Sequence, residues 1–366
     1  MKIIINITIS FIVLFFITGC APKYSKNFTD MSQANLKEAS WQSLKGFESD
    51  NLDLAFDVFK KACTRSKRYE RFITICEKTS EYTQGKKFFL ENFKPYKLYD
   101  DSNSEQGLIT GYYEPMLNGS IIKTGKFKYP IYKVPNDLIT VDLSSIYPEL
   151  KKYRLKGKIK GNKLIPYNTR EQMKSNKSLE PICYVDDKVD LFFLQIQGSG
   201  KVKFQDGTVI NVGYANQNGR AYNSIGKHMI KKGYITANQG SLQGIRKWFK
   251  DNPKKIDEVL NINESYIFFH ESKKSATGAL GVELTARRNL AVDKKYIPLG
   301  MPVFIQTSNP INKKEINQLM VAADVGGAIK GEIRADFFWG HSKEAEQTAG
   351  RMKQKGILYM LIPNNI

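Results

Sequence analysis

Beyond Asp100 the chain breaks into short apolar, β-branched runs set off by glycine or proline, and this texture constrains the fold more than any other feature. Ten such runs read as strands: 108–115, 129–134, 191–197, 208–214, 266–270, 289–292, 302–306, 319–323, 333–339 and 357–362. Each is short for a helix, and turn formers bound many of them. Helical spacing interrupts at 225–232, at 242–250 behind a Ser241 cap, and near 256–260. Many short strands with few helices predict an α+β, mostly β fold with barrel-like sheets, not a doubly wound one.

The opening of the chain sets its address. Lys2 precedes an apolar stretch from Ile3 to Ile17, which ends in Ile17-Thr18-Gly19-Cys20. About 15 residues is short of the roughly 20 that span a membrane and suits a signal peptide. Residues 1–19 look like a bacterial lipoprotein signal, with Cys20 lipidated and Ala21 behind it. That resemblance implies the outer membrane, lipid-anchored and facing the periplasm. There the excess of 56 Lys+Arg over 36 Asp+Glu, net +20, asks for an anionic partner other than cytoplasmic nucleic acid. The most basic run, 151–163, holds one aromatic, Tyr153, and reads as a solvated loop or hairpin.

Residues 27–95 read as helices. Leu52, Phe56, Phe59 and Cys63 form one stripe, and Tyr69, Phe72, Ile73 and Cys76 a second, with a break near Ser66-Lys67. A hairpin of the two brings the cysteines together, and an oxidising compartment predicts a Cys63–Cys76 disulfide. Cys183 is left as a buried thiol. Three histidines without HExxH spacing leave little for a metal site. The glycine-rich segments lack a phosphate-loop pattern, and Ser199 lies outside any GxSxG elbow.

Two acids stand out. Asp324 sits at a strand end beside Gly326-Gly327, and Asp336 lies inside a strand, on the face of Arg334 and Phe338 by period-two alternation. Desolvation raises a carboxyl pKa and a neighbouring arginine lowers it. On spacing alone, a salt bridge or turn cap explains either acid better than a catalytic role does.

The ordered segments Thr110-Gly111-Tyr112-Tyr113-Glu114-Pro115, Tyr129-Pro130-Ile131-Tyr132, Gln195-Ile196-Gln197-Gly198-Ser199-Gly200 and Gly213-Tyr214-Ala215-Asn216-Gln217-Asn218-Gly219-Arg220 resemble the MltA family of murein-degrading lipoproteins. So do Ala279-Leu280-Gly281-Val282, Ile297-Pro298-Leu299-Gly300, Ala323-Asp324-Val325-Gly326-Gly327-Ala328-Ile329-Lys330-Gly331 and Arg334-Ala335-Asp336. The resemblance covers roughly 107–355. It implies a double-psi β-barrel domain from 20–115 with 262–366, helical at its N-terminus, and a second β domain inserted at 116–261.

A sugar-binding groove is expected between the two domains. The resemblance assigns the catalytic acid to Asp336, with Asp324 supporting it. Tyr112, Tyr113, Gln197, Gly198, Ser199, Asn218, Arg220 and Tyr222 are candidates for lining the groove. The implied activity is an exo- or endo-acting lytic transglycosylase that needs no metal or cofactor. Its partners would be peptidoglycan glycan strands and, through the lipid, the membrane, with other cell-wall enzymes as further candidates. A two-carboxylate hydrolytic glycosidase and a non-catalytic murein-binding lipoprotein remain as alternatives.

Overall fold

Strands outnumber helices in the computed structural model, which describes residues 34–364 apart from 68 and 154 and the side chains of 151 and 152. The expected signal segment and Cys20 lie outside the described residues. The largest sheet has eight strands in the order Asn35–Glu38, Phe93–Tyr99, Lys353–Pro363, Pro302–Ser308, Glu315–Asp324, Asn289–Val292, Arg334–Phe338 and Gly107–Tyr112. The long C-terminal strand also pairs with Gly107–Tyr112, Lys353 opposite Thr110, so six of these strands close into a ring. Two pairings in the ring are parallel: Asn289–Val292 with Glu315–Asp324, and Arg334–Phe338 with Gly107–Tyr112. Its inward side chains, among them Leu290, Val303, Ile305, Met320, Ala335, Phe337 and Leu358, are buried without remainder.

The chain leaves the ring at Tyr112 and enters a six-stranded sheet, in the order Ile267–Ser272, Val209–Gln217, Ser199–Phe204, Met116–Ser120, Pro181–Val185 and Tyr129–Tyr132. This sheet takes its edge strand, Ile267–Ser272, from beyond residue 261. The basic run contributes a hairpin, Lys156–Lys160 with Lys163–Pro166, turning at Gly161, whose φ of +59° suits glycine. It belongs to a small three-stranded sheet with Ile139–Thr140.

The expected strand at 191–197 is a helix, Lys188–Gln197. Its run Leu-Phe-Phe-Leu is apolar on every side, so periodicity cannot separate strand from buried helix. The ends decide. Asp187 accepts from the backbone N–H of Val189 and Asp190 at 2.7 and 2.8 Å, and Gly198 closes the helix at φ +81°. Helices at Ile225–Lys231, Leu242–Asp251 and Ile256–Asn261 lie where spacing places them, the second capped by Ser241. Helix Gly85–Asn92 lies within the expected helical stretch 27–95. Asn35–Glu38 and the start of Phe93–Tyr99 there are strand instead, because the two strands pair with each other at the edge of the large sheet. Lys343–Ala349 has no counterpart among the expected helices.

At the N-terminal end, Leu52–Ser66 buries Phe56 and Phe59 against Phe88, Phe89 and Phe93, with ring centroids 4.5 to 6.2 Å apart. The next helix, Glu70–Glu77, folds back, and Cys63 and Cys76 form a disulfide with their Cα atoms 5.4 Å apart. Cys183 is a buried free thiol. The bridge closes a loop of 13 residues, which is worth about 3 kcal/mol on the chain-entropy view. Replacing both cysteines by serine is expected to lower the unfolding free energy by that much, read as a lower urea midpoint. An unchanged midpoint would mean that helix packing alone holds the hairpin.

Candidate active site

Strand register brings the two aspartates together. Arg334–Phe338 runs between Gly107–Tyr112 and Asn289–Val292, with Asp336 opposite Thr110 on one side and Ala291 on the other. On the far side of Ala291, after a register shift, lies Asp324. The two acids therefore flank one small residue, with backbones about 10 Å apart at ordinary strand spacing. Period-two alternation sends Ala335 and Phe337 into the ring's core and leaves Arg334 and Asp336 half-buried on the opposite face. Beneath them Tyr112 and Phe338 pack with Ala276, Ala291 and Ile329.

The two carboxyls are dressed differently. Asp324 Oδ1 accepts from the backbone N–H of Ala279 and of Val325, both at 2.9 Å. Burial nevertheless outweighs these donors and lifts its pKa to about 6. Asp336 Oδ1 accepts from the Thr110 hydroxyl at 2.7 Å. Burial raises its pKa too, against the opposing pull of Thr110 and Arg334. The buried Tyr112 hydroxyl lies beside Asp324, short of a well-formed hydrogen bond to it or to any other described residue. Burial first, then the charges of Asp324 and Asp336, holds its pKa well above the usual value.

These raised carboxyls set a pH slope. Asp324 and Asp190, the latter half-buried beside Arg246, both have folded values near 6 against an ordinary 3.8. The stability each contributes is full below its unfolded pKa and is lost as pH rises through the folded one. Asp324→Asn, which can still accept both N–H groups, is expected to flatten the fall in stability between about pH 4 and 7. Urea unfolding across that range reads it. A slope as steep as the parent's would remove Asp324 as a cause.

Above the acids opens a cleft of about 750 Å³, walled by the ring on one side and by the six-stranded sheet and its loops on the other. Such a volume suits a ligand of several rings. Asp336, Asp324, Tyr112, Gln197, Arg220 and Tyr222 line it. Gln197 also ties the two halves, its Oε1 accepting from the Tyr113 N–H at 3.2 Å. Arg220 donates twice to the Tyr167 carbonyl, at 3.0 and 2.8 Å.

Tyr113, Gly198, Ser199 and Asn218 are not in the wall. Tyr113 is buried behind it, Gly198 caps a helix, and Ser199 begins a strand opposite Gly213. Asn218 is a stitch: its amide donates to the carbonyls of Asn168 and Glu264, both at 2.8 Å, and its Oδ1 accepts from the Tyr266 N–H at 2.9 Å. Several wall residues escaped sequence reasoning. Thr110 shares the face of Tyr112 by alternation, a signal that was available. Arg170 carried none: it donates to the carbonyls of Asn263 and Ser265 and lies over the rings of Phe192 and Tyr266. Among the described residues no cluster of histidine, cysteine or acidic groups is placed to hold a metal, and no helix is long and apolar enough to cross a membrane.

Comparison with known proteins places these features in a family context. Residues 108–270 match the MltA specific insert domain and residues 288–362 match the 3D domain. Over 260 residues the chain is 32% identical to membrane-bound lytic murein transglycosylase A of Escherichia coli (strain K12), covering 69% of this chain and 64% of that relative. The matched stretch thus spans less than two thirds of the relative's length. The crystal structure of MltA from Neisseria gonorrhoeae, monoclinic form, is similar at 34% identity and a TM-score of 0.80, over 91% of this chain and 94% of that one. The structure of E. coli MltA with bound chitohexaose is similar at 25% identity and a TM-score of 0.65, over 84% and 90%.

Proposed function

The chain belongs to the MltA family, and from that premise we propose that it is a lytic murein transglycosylase. It would cleave the β-1,4 bond between N-acetylmuramic acid and N-acetylglucosamine and leave a 1,6-anhydro-N-acetylmuramic acid end. The observation that carries this reading is the unequal dressing of two aspartates at the floor of one glycan-sized cleft. Asp324 Oδ1 is tied to the backbone by two N–H groups, whereas Asp336 Oδ1 is held by a single side-chain hydroxyl, that of Thr110. An acid anchored to the backbone beside one held only by a side chain fits single-acid chemistry better than a glycosidase pair, in which both carboxyls work. A relative crystallised with bound chitohexaose supports a β-1,4-linked aminosugar chain in the cleft.

Asp336, whose burial favours the protonated form, would donate its proton to the leaving glycosidic oxygen as the C1–O bond breaks. The resulting carboxylate would then take the proton of the muramic acid's own C6 hydroxyl as that oxygen bonds to C1. Protons balance, no water enters, and tethering of the nucleophile supplies proximity. Asp324 would orient the turn beside the site. The net charge of +20 suits a polymer whose stem peptides carry carboxylates.

In the same reading the six-stranded ring, with its two parallel pairings, is a double-psi β-barrel, built from 20–115 and 262–366. The insert at 116–261 supplies the facing wall, with Ile267–Ser272 extending its sheet past that boundary. Cys20 would anchor the protein in the outer membrane, since each buried acyl methylene adds about 0.8 kcal/mol. Cys20→Ser is expected to move the protein from the membrane to the soluble fraction after lysis; retention in the membrane would refute the anchor. Purified sacculi test the activity itself. The expected outcome is release of anhydro muropeptides; binding with intact sacculi would leave a non-catalytic murein binder.

A further inference from the structure

Thr110 and Arg334 stand against Asp336 in an order that only one arrangement of protons satisfies. Arg334 Nη2 lies 2.8 Å from Thr110 Oγ1, and Thr110 Oγ1 lies 2.7 Å from Asp336 Oδ1. A guanidinium is always charged and only donates. Thr110 must therefore accept from Arg334, and its single hydroxyl proton is left to donate to Asp336. The guanidinium is itself pinned, since Nη1 donates to the carbonyls of Ala335 at 2.5 Å and Leu108 at 3.4 Å. We infer that Thr110 is a positioning residue, which with Arg334 behind it locks Asp336 Oδ1 as a hydrogen-bond acceptor and leaves Oδ2 as the atom that gives and retakes the proton.

This rests on the transglycosylase reading of the same site and adds to it which oxygen works and what holds it. A relay polarised toward the carboxylate also favours its charged form, needed when the acid turns base. The lock opposes burial, so the carboxyl is kept from rising further. Other charged or titratable groups near Asp336 are Arg334 on its own strand, Tyr112 on the neighbouring strand, Lys353 opposite Thr110 on the strand beyond that, Asp324 beyond Ala291, and Lys330 in the cleft wall. Asn289–Val292 offers Ala291 and no titratable side chain at this register. None of these other groups makes a hydrogen bond to Asp336 in place of Thr110.

Thr110→Val keeps the shape and removes the donor; Thr110→Ser keeps the donor. In Thr110→Val the alkaline limb of kcat/KM on murein is expected to move up by about one pH unit. Its kcat should fall about 10-fold, with KM near the parent's. Thr110→Ser should restore the limb and most of the rate. A carbon-13 NMR titration of the Asp336 carboxyl should show the same rise in Thr110→Val, whether or not Asp336 is the catalytic acid. Failure of the transglycosylase reading is thereby kept apart from failure of this one. The inference is overturned if the Asp336 titration does not move. It is also overturned if it moves down because Arg334 swings onto the carboxylate, or if valine and serine lower activity equally with the limb in place.

Discussion

Asp336→Asn is expected to lower kcat/KM on murein by about 10³–10⁴-fold, at the upper end of what general acid–base assistance supplies or beyond it. The amide keeps the size of the carboxyl and can still accept from Thr110 through its oxygen, so the local strand pairing opposite Thr110 and Ala291 should survive. It cannot protonate the leaving oxygen or take a proton back, and in the proposed reaction one residue performs both transfers. Binding of murein to the variant should match the parent, because Gln197, Arg220 and Tyr222 on the opposite wall are untouched. Asp324→Asn should cost far less, since an asparagine oxygen can still accept from Ala279 and Val325. If the two substitutions are equally severe, the acids work as a pair. If Asp336→Asn retains most activity, the acid lies elsewhere.

The largest loss of stability is expected at Asp50, far from the cleft. Asp50 Oδ1 and Oδ2 accept from Arg288 Nη2 and Nη1 at 2.7 and 2.9 Å, and Oδ2 accepts also from the Leu319 N–H at 2.7 Å. Arg288 Nη1 returns a bond to the Leu319 carbonyl at 2.8 Å. Both side chains are nearly excluded from solvent, at 5% and 8% exposure, so neither charge can be rehydrated in place. The pair staples the chain just ahead of Leu52–Ser66 to the long strand Glu315–Asp324, which ends at the site. Asp50→Ala leaves a buried guanidinium and a backbone N–H unpaired and is expected to cost about 3–5 kcal/mol. Arg288→Met added to Asp50→Ala should recover part of that loss, because the uncompensated charge goes with it. Urea midpoints of the single and double variants measure both effects; a loss under about 1 kcal/mol would place the pair among surface ion pairs.

How far the sequence carries depends on whether a signal is local. Cys63 and Cys76 each continue an apolar helical stripe, and the hairpin that joins them spans few residues, so their meeting was legible. Asp324 was legible as an acid at a strand end beside a glycine turn, and Asp336 as one inside a strand. Their placement on either side of Ala291 was not, because it depends on a parallel pairing and a register shift that no local pattern records. The same holds for Thr110, whose partner is 226 residues away. Lys188–Gln197 misled because a helix buried on all sides has no polar face to give the period away. Its Asp187 and Gly198 ends carried the correction. Asn218 was a groove candidate through the family resemblance alone; its amide and carbonyl oxygen are spent on the backbone instead.

Product analysis in heavy-oxygen water tests the central claim most directly. Murein digested by the enzyme in such water is expected to yield muramic acid ends that are 1,6-anhydro and carry no label, since the oxygen that bonds to C1 comes from the sugar's own C6 hydroxyl. Reducing ends carrying the heavy oxygen would contradict it, for they would show water, not the substrate, attacking C1.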